Sequence, residues 1–182
     1  MRLRWPATLL ASTLAGCGIL PAPEAQPVDI EIEPGLGLQA AGDVVEVWTS
    51  EVDGETWRLV AFQSTDGDIC LFEALETTTH HVGTCGGAPL VSGATIVGGF
   101  GTSSIADDEF LLTYGLVGPS VEQASVPSGD EAIDASVVSL RRLGADVGAM
   151  VVLAPATREP IVIELRDGSG VILEQFEIGP MP

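Results

Sequence analysis

From residue 44 onward the chain is a succession of short apolar runs separated by clusters of Gly, Asp, Ser and Pro. Runs rich in Val, Ile, Leu and aromatics between such breakers read as strands, because β-branched and aromatic side chains suit a pleated, half-buried surface. The pattern predicts strands at 44–49, 56–63, 69–75, 90–97, 109–117, 121–126, 132–140, 148–153, 161–166 and 171–178, and none of these runs sustains a helical period. In 56–63, Trp57, Leu59 and Ala61 alternate with Arg58, Val60 and Phe62, so both sides are largely apolar and a central strand is expected. Ser64-Thr65-Asp66-Gly67-Asp68 reads as a hairpin turn, its Asp-Gly supplying the positive φ that tight turns need. A second hairpin is predicted at Asp167-Gly168-Ser169-Gly170, with Ile161, Ile163 and Leu165 packing inward and Val162, Glu164 and Arg166 facing water. Many short strands without a helix predict an all-β fold over residues 43–182. The expected form is a single antiparallel β-sandwich of about nine strands, immunoglobulin-like in general architecture, rather than a barrel.

The first forty residues have a different character. Arg2 and Arg4 precede an apolar run over 5–14, followed by Ala15, Gly16 and Cys17, the charged, apolar, small order of an export signal. The run is about half the roughly 20 residues needed to cross a bilayer, too short for a permanent span. Leu14-Ala15-Gly16-Cys17 resembles the bacterial lipobox, which implies that residues 1–16 are a lipoprotein signal peptide and that Cys17 becomes the acylated N-terminus, bearing fatty acyl groups such as palmitate. One acyl chain holds a protein only marginally, whereas two or three hold it durably. Gly18 is not the Asp that suggests inner-membrane retention. Residues 17–42 hold Pro21, Pro23, Pro27 and Pro34 among Glu24, Asp29, Glu31 and Glu33, without strand or helix period, and are expected to be a flexible linker. Such a linker would reach roughly 25–30 Å as a coil, or towards about 75 Å fully extended.

Charge narrows the range of partners. After loss of the signal, 166 of 182 residues remain, enough for one domain with a real core. Five arginines then stand against 26 acidic residues, a net charge of −21. Nucleic acid is excluded as a partner, and anionic headgroups repel such a surface, so the domain is expected to stand clear of the membrane on its tether. All seven basic residues are arginine. The absence of lysine removes the phosphate-loop lysine, Schiff-base chemistry and the Ser-x-x-Lys acyl-transfer motif, and the Arg-only set beside abundant Ala, Gly, Val and Asp suits a high-GC genome.

Little else in the chain carries chemistry. With Cys17 assigned to lipid, Cys70 and Cys85 are expected to form a disulfide in an oxidising compartment, closing a 15-residue loop worth about 3 kcal/mol by chain entropy. His80 and His81 are the only histidines, and adjacent extended residues point to opposite sides, so a shared metal is not expected. Asp66 and Asp68 read as turn residues, and Asp107, Asp108 and Glu109 as a solvated cluster; neither matches a calcium loop. Trp48 and Trp57 sit within strand patterns and are read as core rather than as a sugar platform. No Gly-x-Ser-x-Gly, His-Glu-x-x-His or dinucleotide fingerprint occurs, and no cofactor is expected.

The segments 56–62, 68–71, 83–86 and 114–117 together resemble uncharacterised lipoproteins of actinobacteria over about half the domain. The resemblance implies a β-domain in the cell envelope and carries over no functional residue. An extracytoplasmic, membrane-anchored, non-catalytic binding or sensing module for an envelope protein or glycan is therefore expected. Its rivals are an envelope hydrolase, which needs two carboxyl groups about 5–9.5 Å apart in one cleft, and a passive spacer with no sizeable apolar surface.

Overall fold

The computed structural model describes residues 22–30, 39–52, 54–75, 83–86, 96–105, 110–127, 134–156 and 159–178. They form twelve strands: β1 (Gln26–Val28), β2 (Ala40–Val52), β3 (Glu55–Ser64), β4 (Ile69–Leu75), β5 (Gly83–Gly86), β6 (Ile96–Ile105), β7 (Phe110–Val117), β8 (Gln123–Ser125), β9 (Asp134–Ser139), β10 (Gly148–Pro155), β11 (Ile161–Arg166) and β12 (Ile172–Ile178). One 3-10 turn, Arg141–Leu143, separates β9 from β10. The all-β, antiparallel sandwich expected from the sequence is present. It is built from three sheets ordered β1-β2-β3-β4-β5, β6-β7-β10-β9 and β12-β11-β8.

Alternation along the middle strands explains the layering. On β7, Leu112, Tyr114 and Leu116 join a core with Val45, Leu59, Ala61, Ile69 and Leu71 of the first sheet. Their neighbours Leu111 and Val117 turn the other way, into a second core with Ile161, Ile163 and Leu165 of β11. β10 divides likewise, Ala149 and Val151 to one side and Met150, Val152 and Ala154 to the other. The four-stranded sheet is thus the filling between two others, which is why 111–117 and 149–154 read as nearly continuous apolar runs.

β3 is the central strand of the first sheet, as its two-sided pattern predicts. Its second face buries Val60 and Phe62 with Val44, Cys70 and Phe72, the two phenyl rings tilted with centroids 5.5 Å apart. In β2 the register steps from Glu46↔Val60 to Trp48↔Leu59, so Val47 is an extra residue. This bulge lets Val45, Val47 and Trp48 all enter the same core, which strict alternation forbids. Cys70 lies directly opposite Cys85 and the disulfide joins β4 to β5. The immunoglobulin likeness therefore stops at packed antiparallel sheets: β1 to β5 form a meander, and the bridge staples neighbours within one sheet.

Part of the expected linker is folded. The Ala25 amide donates to Ser139 O at 3.1 Å, the Ser139 amide donates to Pro23 O at 2.8 Å, and Ala25 is 2% exposed in the core. β1 then pairs with β2 from Gln26↔Glu46 to Val28↔Val44. The segment 22–28 stitches the β9 edge of the middle sheet to the β2 edge of the first. Proline marks it as irregular by composition, but Pro27 sits on an edge strand, where a missing amide is tolerated. β5 and the shift of β6 from 90–97 to Ile96–Ile105 also depart from the sequence expectation; residues 90–95 lie outside the described residues.

Candidate functional site

Among the described residues, the β11–β12 hairpin presents the large apolar side chains that stay in water. Val171, Ile172 and Leu173 are 58%, 43% and 38% exposed, just beyond the predicted Asp167-Gly168-Ser169-Gly170 turn. The turn is tied on several sides. The Ser169 amide and hydroxyl and the Val171 amide all donate to Asp167 Oδ1, at 2.8, 2.7 and 2.9 Å. Those bonds, led by the Ser169 hydroxyl, hold the Asp167 carboxyl below the usual aspartate range. Arg166 Nη1 donates to Gly170 O at 2.7 Å, and Gly170 takes φ +85°, a backbone conformation suited to glycine. The tip is thus an ordered loop that presents apolar groups to solvent.

Behind the tip the solvent side of the outer sheet carries a polar row. Arg166 Nη2 pairs with Glu164 Oε2, and Gln175 Nε2 donates to Glu164 Oε1 at 2.6 Å. Glu164 is only 6% exposed although it alternates away from the core, because these two side chains cover it. The Arg166 hydrogen bond, with help from Gln175, keeps its carboxyl below the ordinary glutamate range. The water-facing side expected for Val162, Glu164 and Arg166 is therefore correct in direction and incomplete in exposure.

Beside the tip lies a cleft of about 100 Å³ between β8 and the β9 edge, lined by Ala22, Val121, Glu122, Ser139, Arg141 and Asp146 among others. Glu122 links the two features: its carboxylate packs so closely on Gly168 that a Cβ there would lie 2.6 Å from Oε2. Asp146 is paired with Arg141 at 3.3 Å and is 71% exposed. A carboxyl serving as general acid in glycoside cleavage must be withdrawn from water, and ligand pockets usually enclose about 300–1,000 Å³. Asp146 is in open water, Glu122 is half-buried against Gly168, and the cleft is smaller than that range.

A buried polar pair lies between the first and middle sheets. Glu73 on β4 is 3% exposed, Tyr114 on β7 is fully buried, and the Tyr114 hydroxyl donates to the Glu73 carboxylate. Burial first, then the neighbouring carboxylate, pushes the Tyr114 hydroxyl far above the ordinary tyrosine range. No solvent path is needed for this pair to act as an internal fastener.

Of the residues singled out by the sequence, Cys70 and Cys85 are bonded to each other. Asp66 and Asp68 form the turn between β3 and β4, where the Ser64 amide donates to Asp68 O at 2.7 Å and Gly67 takes φ +91°. Trp48 is buried and Trp57 packs against the same core. Cys17, His80, His81, Asp107, Asp108 and Glu109 lie outside the described residues. Among the described residues, no group of three or more His, Cys, Asp or Glu could hold a metal ion, and no helix is long and apolar enough to cross a membrane. The sequence signals the second hairpin through Asp-Gly-Ser-Gly, but the exposure of Val171 to Leu173 depends on β12 being an edge, which only the fold reveals. Compared with known protein families, curated proteins and solved structures, the chain matches none.

Proposed function

We propose that this protein is a cell-envelope lipoprotein, anchored through acylated Cys17 on the extracytoplasmic face, whose β body is a non-catalytic binding or sensing module. The observation that carries the reading is the pairing of Cys70 with Cys85. Disulfides persist in oxidising compartments, and this one leaves Cys17, at the end of the lipobox-like Leu14-Ala15-Gly16, as the one sulfhydryl without a partner in sequence terms. The exposed apolar tip at Val171, Ile172 and Leu173 favours a contact role over that of a passive spacer. The exposed Asp146 and the small volume of the cleft it lines favour binding over hydrolysis.

Mass spectrometry of the protein from native membranes tests the anchor. The expected product begins at residue 17 and carries diacylglycerol, with or without an N-acyl chain. A Cys17→Ser variant is expected to leave the membrane fraction. An intact Met1 terminus on the native protein would refute the proposal. Crosslinking in native envelopes tests the binding role, with an envelope protein or glycan recovered above background as the expected result.

A further inference from the structure

The geometry points to the β11–β12 hairpin tip as a membrane-contacting surface, held against the bilayer in which the Cys17 lipid is embedded. The inference rests on the lipid anchor proposed above and names the partner of the same apolar tip.

Three observations place the tip and the segment where the chain enters the fold at one end of the protein, within short reach of Cys17. First, the chain is fixed to β9 from Pro23 onward, through Pro23 O and the Ala25 amide. Six residue steps separate Pro23 from Cys17, a reach of at most about 22 Å even when fully extended. A folded chain of this length has a radius of gyration of roughly 15 Å and is about 40 Å across, so such a tether cannot let the body turn over. Second, Ala22 and Glu122 line the same cleft, and Glu122 packs directly on Gly168 of the hairpin turn. Third, strand direction agrees: Gly148 begins β10 opposite Ser139 and Val117, and the chain leaving Val117 runs into β8, whose Gln123 pairs with Arg166 at the foot of the tip. The opposite end, where β10 finishes and β11 begins near Ala156, lies about 25 Å away by strand rise.

Chemistry agrees with placement. Val171, Ile172 and Leu173 are consecutive, exposed and supported by a turn that Asp167 and Arg166 hold in place. Side chains of this kind on an ordered loop partition into the headgroup and acyl boundary. Arg141 and Arg142 also lie at this end, 73% and 41% exposed in their side chains, where they offset Asp146 and Asp43 in a chain of strong negative charge. The expectation that the domain stands clear of the bilayer rested on a tether of 25 residues and on repulsion by anionic headgroups, a repulsion that zwitterionic headgroups do not exert. With the fold starting at residue 22, that spacing is lost.

The test uses the lipidated full chain, purified and reconstituted in phosphatidylcholine vesicles, with a fluorophore on a single added thiol at Ile172→Cys or at Ala156→Cys. A phospholipid carrying a spin label on its acyl chain serves as quencher. Quenching several-fold stronger at 172 than at 156 is expected. Equal quenching at the two positions in protein whose mass includes the acyl groups would overturn the contact surface and leave the lipoprotein reading intact. A mass without acyl groups would overturn both. Pairing of 172 labels between two copies, with no lipid quenching, would assign the tip to self-association and also overturn the inference.

Discussion

The single tyrosine of the chain, Tyr114, is also its most deeply committed phenol. An unfolded tyrosine ionises near about pH 10, whereas burial and the Glu73 carboxylate keep the folded hydroxyl protonated well beyond that. Folding is therefore indifferent to this group below the ordinary tyrosine range and loses stability as pH rises past it, because only the unfolded chain releases the proton. Tyrosinate absorbance, which has one source here, is expected to appear only together with loss of near-ultraviolet circular dichroism. Tyr114→Phe should remove that alkaline coupling and, by taking one donor from the buried Glu73, cost about 1–3 kcal/mol in urea unfolding. Glu164 has the opposite sign. Its folded carboxyl is the stronger acid, so its contribution is complete above the ordinary glutamate range and is withdrawn as pH falls through the lower folded value. Arg166→Ala removes the leading cause of that shift and should move the acid-unfolding midpoint to higher pH.

Strand pairing accounts both for what the sequence discloses and for what it hides. β3, β4, β7, β10 and β11 are legible because their alternation and breakers act locally. β1, β5 and the bulge in β2 are not, since each owes its conformation to a partner. Gln26-Pro27-Val28 becomes a strand because the β2 edge is open to it, and Gly83-Thr84-Cys85-Gly86 because Cys85 faces Cys70. Gly83 is required there: an added Cβ would meet Leu71 O at 2.5 Å and the Phe72 ring at 2.7 Å. Gly83→Ala is thus expected to destabilise by about 1–3 kcal/mol, the usual cost of forcing atoms into a filled space, as read from the urea midpoint. Reducing the disulfide should cost about 3 kcal/mol by loop entropy, measured by unfolding with and without a thiol reductant. The candidate site was half visible in the same way: its turn is written in Asp-Gly-Ser-Gly, while its exposure follows from the order β12-β11-β8.

Taken as one body, the protein carries far more negative charge than its ion pairs balance. Arg141–Asp146 and Arg142–Asp43 are exposed pairs of the kind that contribute about 0–1 kcal/mol each, so screening them loses little. Screening the self-repulsion of a chain near −19 gains more, since the Debye length is about 8 Å at physiological ionic strength. Raising sodium chloride from low to physiological concentration should therefore raise the melting temperature, and a fall would contradict this charge balance.

The stitched segment 22–28 has a mechanical side. Any pull on the N-terminal end is delivered first to the Pro23–Ser139 and Ala25–Ser139 bonds and then to β1 against β2, with no slack chain from residue 22 to absorb it. Tension there loads the seam between two sheets and would unzip it from one end, baring the core around Ala25 and Trp48. A force on the N-terminal end would thus open the molecule at the same seam that it loads.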